Sequence, residues 1–179
     1  MIIRDALETD APALAAIYGH HVLTGFGTFE EVPPTAAEMA ARRQAIVGRG
    51  LPYLVAEDAG QVLGFAYAGP FRPRGAYRYT VEDSVYIAPD AMGRGVGKTV
   101  LEAVLVSCEA LGVRQVVAVI GDSGNAGSIG LHRSLGFIHQ GVGRSFGYKH
   151  GRWVDIVWMQ KPLNGGDGSE PDAPGIDLG

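Results

Sequence analysis

The chain carries a single cysteine in 179 residues, Cys108, so no disulfide can form within it, which agrees with a reducing compartment. That cysteine lies in the apolar run LEAVLVSCEALG and reads as a packed core thiol rather than a nucleophile. No uninterrupted apolar stretch approaches the ~18 residues that suggest a membrane span. The opening MIIRDALETD lacks the apolar core of a secretory signal, so the expectation is a soluble, cytoplasmic protein. Positive charge is also in short supply: 15 Lys and Arg stand against 19 Asp and Glu, a formal net charge of -4. That balance gives no footprint for nucleic acid or for an anionic membrane surface, and leaves small molecules or other proteins as partners. No spacing of His, Cys and carboxylates suggests a metal, and His20 and His21, being adjacent, do not share a helix face. Internal repeats are absent.

What is present is enough apolar material, 46% of the chain, for one sizeable core in a single domain. After an opening strand, Asp10 with Pro12 marks a helix start, and apolar residues at Leu14, Ile17, Tyr18 and Val22 carry that helix to about His21. Thr35 and Glu38 form a capping box for a second helix ending near 48–50. LPYLVAE and QVLGFAYAG, parted by Asp58-Ala59-Gly60, read as a β-hairpin. A basic and aromatic connection, FRPRGAYRYT, leads to the strand VEDSVYIAP. There Val81, Val85 and Ile87 alternate onto one face while Asp83 interrupts the set, and a β-bulge is the simple repair. An apolar helix from about Gly95 to Leu111 follows, then the buried strand VRQVVAVIG, a short helix in NAGSIGLHRSLG, and a final strand pair. The order β-α-α-β-β-β-α-β-α-β-β implies an α/β fold, a mixed sheet with helices on both faces. The domain is expected over 1–163, with 164–179, rich in Gly, Pro and Asp, as a flexible tail.

The segment MGRGVGKT ends as a nucleotide-binding P-loop does, in Gly97-Lys98-Thr99, but Met92 occupies the place of the first glycine. An NTPase would also need a magnesium-binding Asp after a strand, for which Asp122 is the one candidate. The alternative is a different phosphate cradle. Gly93, Gly95 and Gly97 lie between a strand and a helix, where the first helical amides point outward without intrahelical partners. Glycine lets those amides approach an anion, the helix dipole favours it, and Arg94 and Lys98 add charge. A plain strand-to-helix turn is the structural reading of the same glycines.

VYIAPDAMGRGVGKTVLEAVL, followed by NAGSIGLHRSLGF, resembles the acetyl-coenzyme A binding core of the GCN5-related N-acetyltransferases. Their signature is Gln/Arg-x-x-Gly-x-Gly/Ala after a strand; Gly95 and Gly97 match, and Met92 departs from it. The segments IYGHHVLTGFGTFE, ED-SVYI and GYKHGRWVD narrow the resemblance to the phosphinothricin and methionine sulfoximine acetyltransferase branch, over about 2–162. The resemblance implies a mostly antiparallel mixed sheet, acetyl-coenzyme A as co-substrate, no metal and a homodimer. It implies direct transfer of acetyl to the α-amino group of a small amino-acid-like acceptor. Rival readings are the same fold acting on another amine, and a non-catalytic acyl-coenzyme A sensor, against which Glu82 and His132 both speak.

By resemblance, Glu82 is the base that deprotonates the acceptor amine, directly or through water, and partial burial would raise its pKa. Its bland reading is a strand glutamate paired with Arg72 or Arg74, and Asp83 is the rival carboxylate. Backbone amides of Val85, Tyr86 and Ile87 would polarise the thioester carbonyl. Gly93, Arg94, Gly95, Val96, Gly97 and Lys98 would hold the pyrophosphate, with Asn125 and Ser134 as further coenzyme contacts. His132 is the candidate acid for the leaving thiolate, or else a satisfied helix histidine; Asn125 is equally a helix N-cap. For the acceptor, Arg72 and Arg74 suit bidentate capture of a carboxylate or phosphinate. Phe29 and Glu30 would close the other side of the pocket, near Asp83 and Ser84. Lys149 and His150 would stand at the pocket edge and the dimer contact.

Overall fold

A computed structural model describes residues 1–178. Strand β1 (Ile2–Asp5) is followed by α1 (Ala11–Thr24) and α2 (Ala36–Val47), then by the hairpin β2 (Tyr53–Asp58) and β3 (Gln61–Pro70). Next come β4 (Thr80–Ile87), α3 (Val96–Ala110), β5 (Gln115–Gly121), α4 (Ala126–Ser134), and the pair β6 (Ile138–Lys149) and β7 (Arg152–Pro162). The element order is the one the sequence patterns predict. Helix α1 extends past the expected His21 to Thr24, whose hydroxyl donates to the His20 carbonyl within the last turn.

The local reasons are legible residue by residue. Thr35 Oγ1 accepts from the Glu38 amide (3.2 Å) while Glu38 Oε2 accepts from the Thr35 amide (2.6 Å), so α2 opens on a reciprocal capping box. Ala59 and Gly60 both hold positive φ (49° and 83°), the turn that matches the twist of a two-residue hairpin. Helix α3 buries Val96, Val100, Leu101, Val104, Leu105 and Cys108 on one stripe. Removing such an aliphatic side chain from water stabilises by about 1.5–3 kcal/mol. Burial also pushes the Cys108 thiol up to about 12, which leaves it an inert core group.

The seven-stranded sheet runs β1-β2-β3-β4-β5-β7-β6, and only β4 and β5 are parallel. Helices α1 and α2 cover one face of β2–β4 and α3 covers the other. The expected bulge at Asp83 is not found. β4 pairs β3 without a break from Val81↔Pro70 to Ile87↔Gly64, so Asp83 keeps its place on the inward face with Val81. What allows a carboxylate there is a partner, His132 of α4, whose Nε2 lies 2.9 Å from Asp83 Oδ2.

The irregularity lies on the other edge of β4. Its parallel ladder with β5 spans only Thr80↔Gln115, Val81↔Val116 and Glu82↔Val117, after which the strands part, β4 continuing to Ile87 and β5 to Gly121. The two strands fork at Glu82, and the fork opens toward the N-terminus of α3.

Beyond Leu163 the described residues form no helix or strand. The buried Arg114 donates from Nε to the Gly166 carbonyl and from Nη2 to the carbonyl and hydroxyl of Ser169 (2.8 Å each), and the Ile176 amide donates to the Arg78 carbonyl (2.8 Å). Position 179 lies outside the described residues.

Candidate active site

A cleft of about 960 Å³ occupies the fork between β4 and β5. Its walls are β4 from Glu82 to Ile87, the start of α3, the α4 face bearing Asn125, Leu131 and His132, and the segment from Gly25 to Phe29 between α1 and α2.

Alternation along β4 divides the site into two sides. Glu82, Ser84 and Tyr86 share a face with Phe65 and Tyr67 of β3, cross-strand from Tyr86 and Ser84, and this face meets α1. An aromatic cluster forms there: Tyr86 packs edge-on against Tyr18 (4.7 Å between centroids) and lies 5.4 Å from Phe65. Desolvation raises the Glu82 carboxyl above its ordinary value; the Arg72 charge works against this, and Asp83 adds to it. His21 closes the far end of the strand by donating from Nε2 to the Ile87 carbonyl (2.8 Å), and burial holds its imidazole below the ordinary value, in the neutral form.

Asp83 and His132 lie on the opposite side, toward α3 and α4. His132 is 2% exposed, and its Nδ1 donates to the Ser128 carbonyl (2.8 Å), so Nε2 faces Asp83. Burial lowers the imidazole pKa, but the hydrogen bond and charge of Asp83 outweigh it and the net direction is upward, favouring the imidazolium. The sequence left His132 open between an acid and a satisfied helix histidine; both nitrogens are engaged here, the consequence of packing a carboxylate on the inward face of β4. Asp83 Oδ1 is buried and finds no hydrogen-bond partner among the described residues.

The glycine loop divides in the same way. Gly93 and Gly95 hold φ of 73° and 81°, and a Cβ at either would meet nothing within 4 Å, so both carry the turn on an open surface. Gly97 is different: it is helical, and a Cβ there would come within 3.3 Å of Leu131 and 3.5 Å of Ile87, so its role is close approach of α3 to α4 and β4. The first amides of α3 face the cleft entrance with Lys98 beside them. Such a helix N-terminus, with Ile87 and Leu131 lining the same cleft, suits a phosphate group.

Glu82, Asp83, Ser84, Val85, Tyr86, Ile87, Gly93, Gly95, Val96, Gly97, Lys98, Asn125, His132, Ser134 and Phe29 all line this one cleft. Arg72, Arg74 and Arg94 do not. All three are solvent-exposed, and Arg72 folds back, its guanidinium 4.6 Å over the Phe71 ring and donating to the Phe71 carbonyl. Asn125 serves as the N-cap of α4, accepting from the Ser128 amide (3.1 Å) and donating to the Gly121 carbonyl (3.3 Å), and the Ser134 hydroxyl bonds the Leu131 carbonyl. Glu30 turns to Tyr18 and Arg42, away from the cleft. Sequence reasoning missed His21, Gly25 to Thr28, and Leu131. His21 stood three residues after Tyr18 on the buried helix stripe, a signal that was available; the loop carried none beyond its glycines.

Residues 14–137 match the family model described as Acetyltransferase (GNAT) family. The chain belongs to the GNAT acetyltransferase family. It is 55% identical to the phosphinothricin N-acetyltransferase of Alcaligenes faecalis, over 95% of this chain and 86% of that one. It is 44% identical to the L-methionine sulfoximine/L-methionine sulfone acetyltransferase of Pseudomonas paraeruginosa, over 90% and 94% of the two chains. The crystal structure of a GNAT superfamily phosphinothricin acetyltransferase from Sinorhizobium meliloti in complex with AcCoA superposes with a TM-score of 0.92 at 49% identity, covering 95% of this chain and 92% of that one. Family membership sets aside the NTPase reading of the glycine loop, in which Met92 stands where a P-loop has its first glycine.

Proposed function

We propose that the protein moves the acetyl group of acetyl-coenzyme A directly to the α-amino group of a small amino-acid-like acceptor, phosphinothricin and methionine sulfoximine or sulfone being the first candidates. The observation that carries this is Glu82: a half-buried carboxylate, raised in pKa by desolvation, at the fork that separates a helix N-terminal cradle from an aromatic wall. In this reading Gly93, Gly95 and the first amides of α3 take the pyrophosphate, and the pantetheine arm runs between β4 and α4 toward Glu82. Beyond Glu82 one edge of β4 has no strand partner, and backbone groups of Val85 to Ile87 on that edge, other than the Ile87 carbonyl held by His21, are available to the thioester and its arm.

The acceptor amine attacks the thioester carbonyl as its lone pair is freed by Glu82, directly or through one water. The C–S bond breaks, and the departing thiolate takes a proton from the His132 imidazolium. In the resting geometry that proton is held by Asp83, so the transfer requires the Nε2–Asp83 bond to break as the imidazole swings toward the sulfur or a bridging water. Arg72, outside the cleft but with its charge felt at Glu82, would guide the acceptor's carboxylate or phosphinate as it enters. The catalytic unit in this reading is 1–163, with 164–179 as an appendage, acting in the cytoplasm as a homodimer joined through the exposed β6–β7 face.

Thiol release from acetyl-coenzyme A across a panel of phosphinothricin, methionine sulfoximine, methionine sulfone, common amino acids and short peptides tests the reading. Turnover is expected with the first three. Glu82→Gln should lower kcat about 10²–10⁴-fold while acetyl-coenzyme A binding is kept; a panel inert throughout rejects the proposal.

A further inference from the structure

The segment between α1 and α2 has no regular structure from Gly25 onward, yet it supplies one whole wall of the cleft through Phe26, Thr28 and Phe29. A loop of this kind needs its backbone groups satisfied from outside and its side chains packed, or it will not hold one shape. Its fastenings come from the far end of the chain. Lys149, the last residue of β6, is 2% exposed, and its Nζ donates to the Thr28 carbonyl (2.8 Å). Three residues on, the Arg152 guanidinium lies 3.8 Å over the Phe26 ring, and the His150 ring meets the same phenyl edge-on at 5.5 Å. Gly147 leaves room for the Phe29 ring, which a Cβ there would meet at 2.5 Å.

A buried ammonium is costly unless it is paired, and here burial pulls the Lys149 pKa down, opposed by the charges of Glu31 and Glu30. A methionine would fill the same volume without that cost. The ammonium instead sits where its hydrogen bond goes to a loop carbonyl. Thr28 is also held from the other side, its Oγ1 2.8 Å from the Tyr18 hydroxyl, so α1 and the β6–β7 turn grip one residue between them.

We propose that the turn of the β6–β7 hairpin is a clasp that fixes the Phe26–Phe29 wall, and that Lys149 is a positioning residue for the acceptor. The inference rests on the acceptor lying on this side of Glu82, as the proposed function has it. The coenzyme cradle at α3 shares no fastening with the clasp, so the two halves of the site should respond separately.

The test is Lys149→Met, with acceptor KM from steady-state kinetics, acetyl-coenzyme A Kd from calorimetry, and amide hydrogen exchange over 25–31. The acceptor KM should rise about tenfold or more, a loss of ~1.4 kcal/mol. Coenzyme Kd should stay within twofold, and exchange over 25–31 should accelerate. Gly147→Ala reaches the same wall by another route, pushing on the Phe29 ring without touching Lys149, and should give the same selective rise. An acceptor KM within twofold of the parent in both variants, or equal losses for acceptor and coenzyme, overturns the clasp and leaves the acetyltransfer reading intact. A parent that acetylates no amine in the panel overturns both.

Discussion

On β4 two adjacent acidic residues face opposite ways, and their environments assign them different work. Glu82 is partly open to the cleft and is shifted upward chiefly by desolvation, which suits a base. Asp83 is 6% exposed and is spent on His132. Because the folded-state pKa of His132 is raised, the pair's contribution to stability is complete below the unfolded histidine value of about 6.5 and fades as pH climbs through the folded value. Asp83→Asn keeps the shape and removes the charge. It should cost about 1–3 kcal/mol, with a fall in melting temperature that is larger at pH 6 than at pH 9. An equal fall at both values would mean that His132 is neutral throughout and cannot serve as an acid.

Among elements, the start of α3 carries the donor half of the site. Its glycines are not interchangeable: Gly95 turns the chain at φ 81° on an open surface, while Gly97 lets the helix press on Leu131. Gly95→Ala sets a Cβ at a left-handed position, about 1–2 kcal/mol of local strain, and places it where the phosphates are proposed to sit. Acetyl-coenzyme A Kd should rise about tenfold by calorimetry with acceptor KM little changed; a Kd within twofold would remove Gly95 from the cradle. The elements themselves were legible because each announces itself locally, by the Thr35–Glu38 box, the Ala59-Gly60 turn or the α3 stripe. The cleft residues of β4 and α3 were legible through one contiguous motif. What could not be read was pairing across distance. Asp83 looked like a break in the alternation because its partner is 49 residues away, and the fastening of the α1–α2 loop by Lys149 joins residues 121 apart. Nor did the arginines of the 71–79 connection reveal that they stay outside the cleft, since an exposed side chain's direction is not set by periodicity.

At the scale of the whole molecule, one surface is out of keeping with the rest. Phe146, Tyr148 and Trp153 are each at least 60% exposed, and Ile138 and Val142 lie on the same strand, β6, which is the outermost of the sheet. A 12-residue edge strand studded with large apolar side chains is an invitation to pairing that a lone soluble chain would ordinarily blunt with charge or proline. Arg144 is the main charge within it, and its guanidinium is turned to Asp155 (2.8 Å). A second copy of the chain is the simplest cover, since a two-fold axis makes the same patch self-complementary. Light scattering in solution should then give about twice the chain mass of 18.8 kDa. Trp153→Glu should shift it toward one chain mass. The clasp belongs to the same hairpin, with Trp153 directly after Arg152 and stacked edge-on against Tyr148 (5.5 Å), so pairing would stiffen the turn that holds the acceptor wall. The monomeric variant should therefore lose acceptor affinity more than coenzyme affinity, as Lys149→Met does; a monomeric parent with the same acceptor KM as Trp153→Glu would show that the fold needs no partner to shape its site.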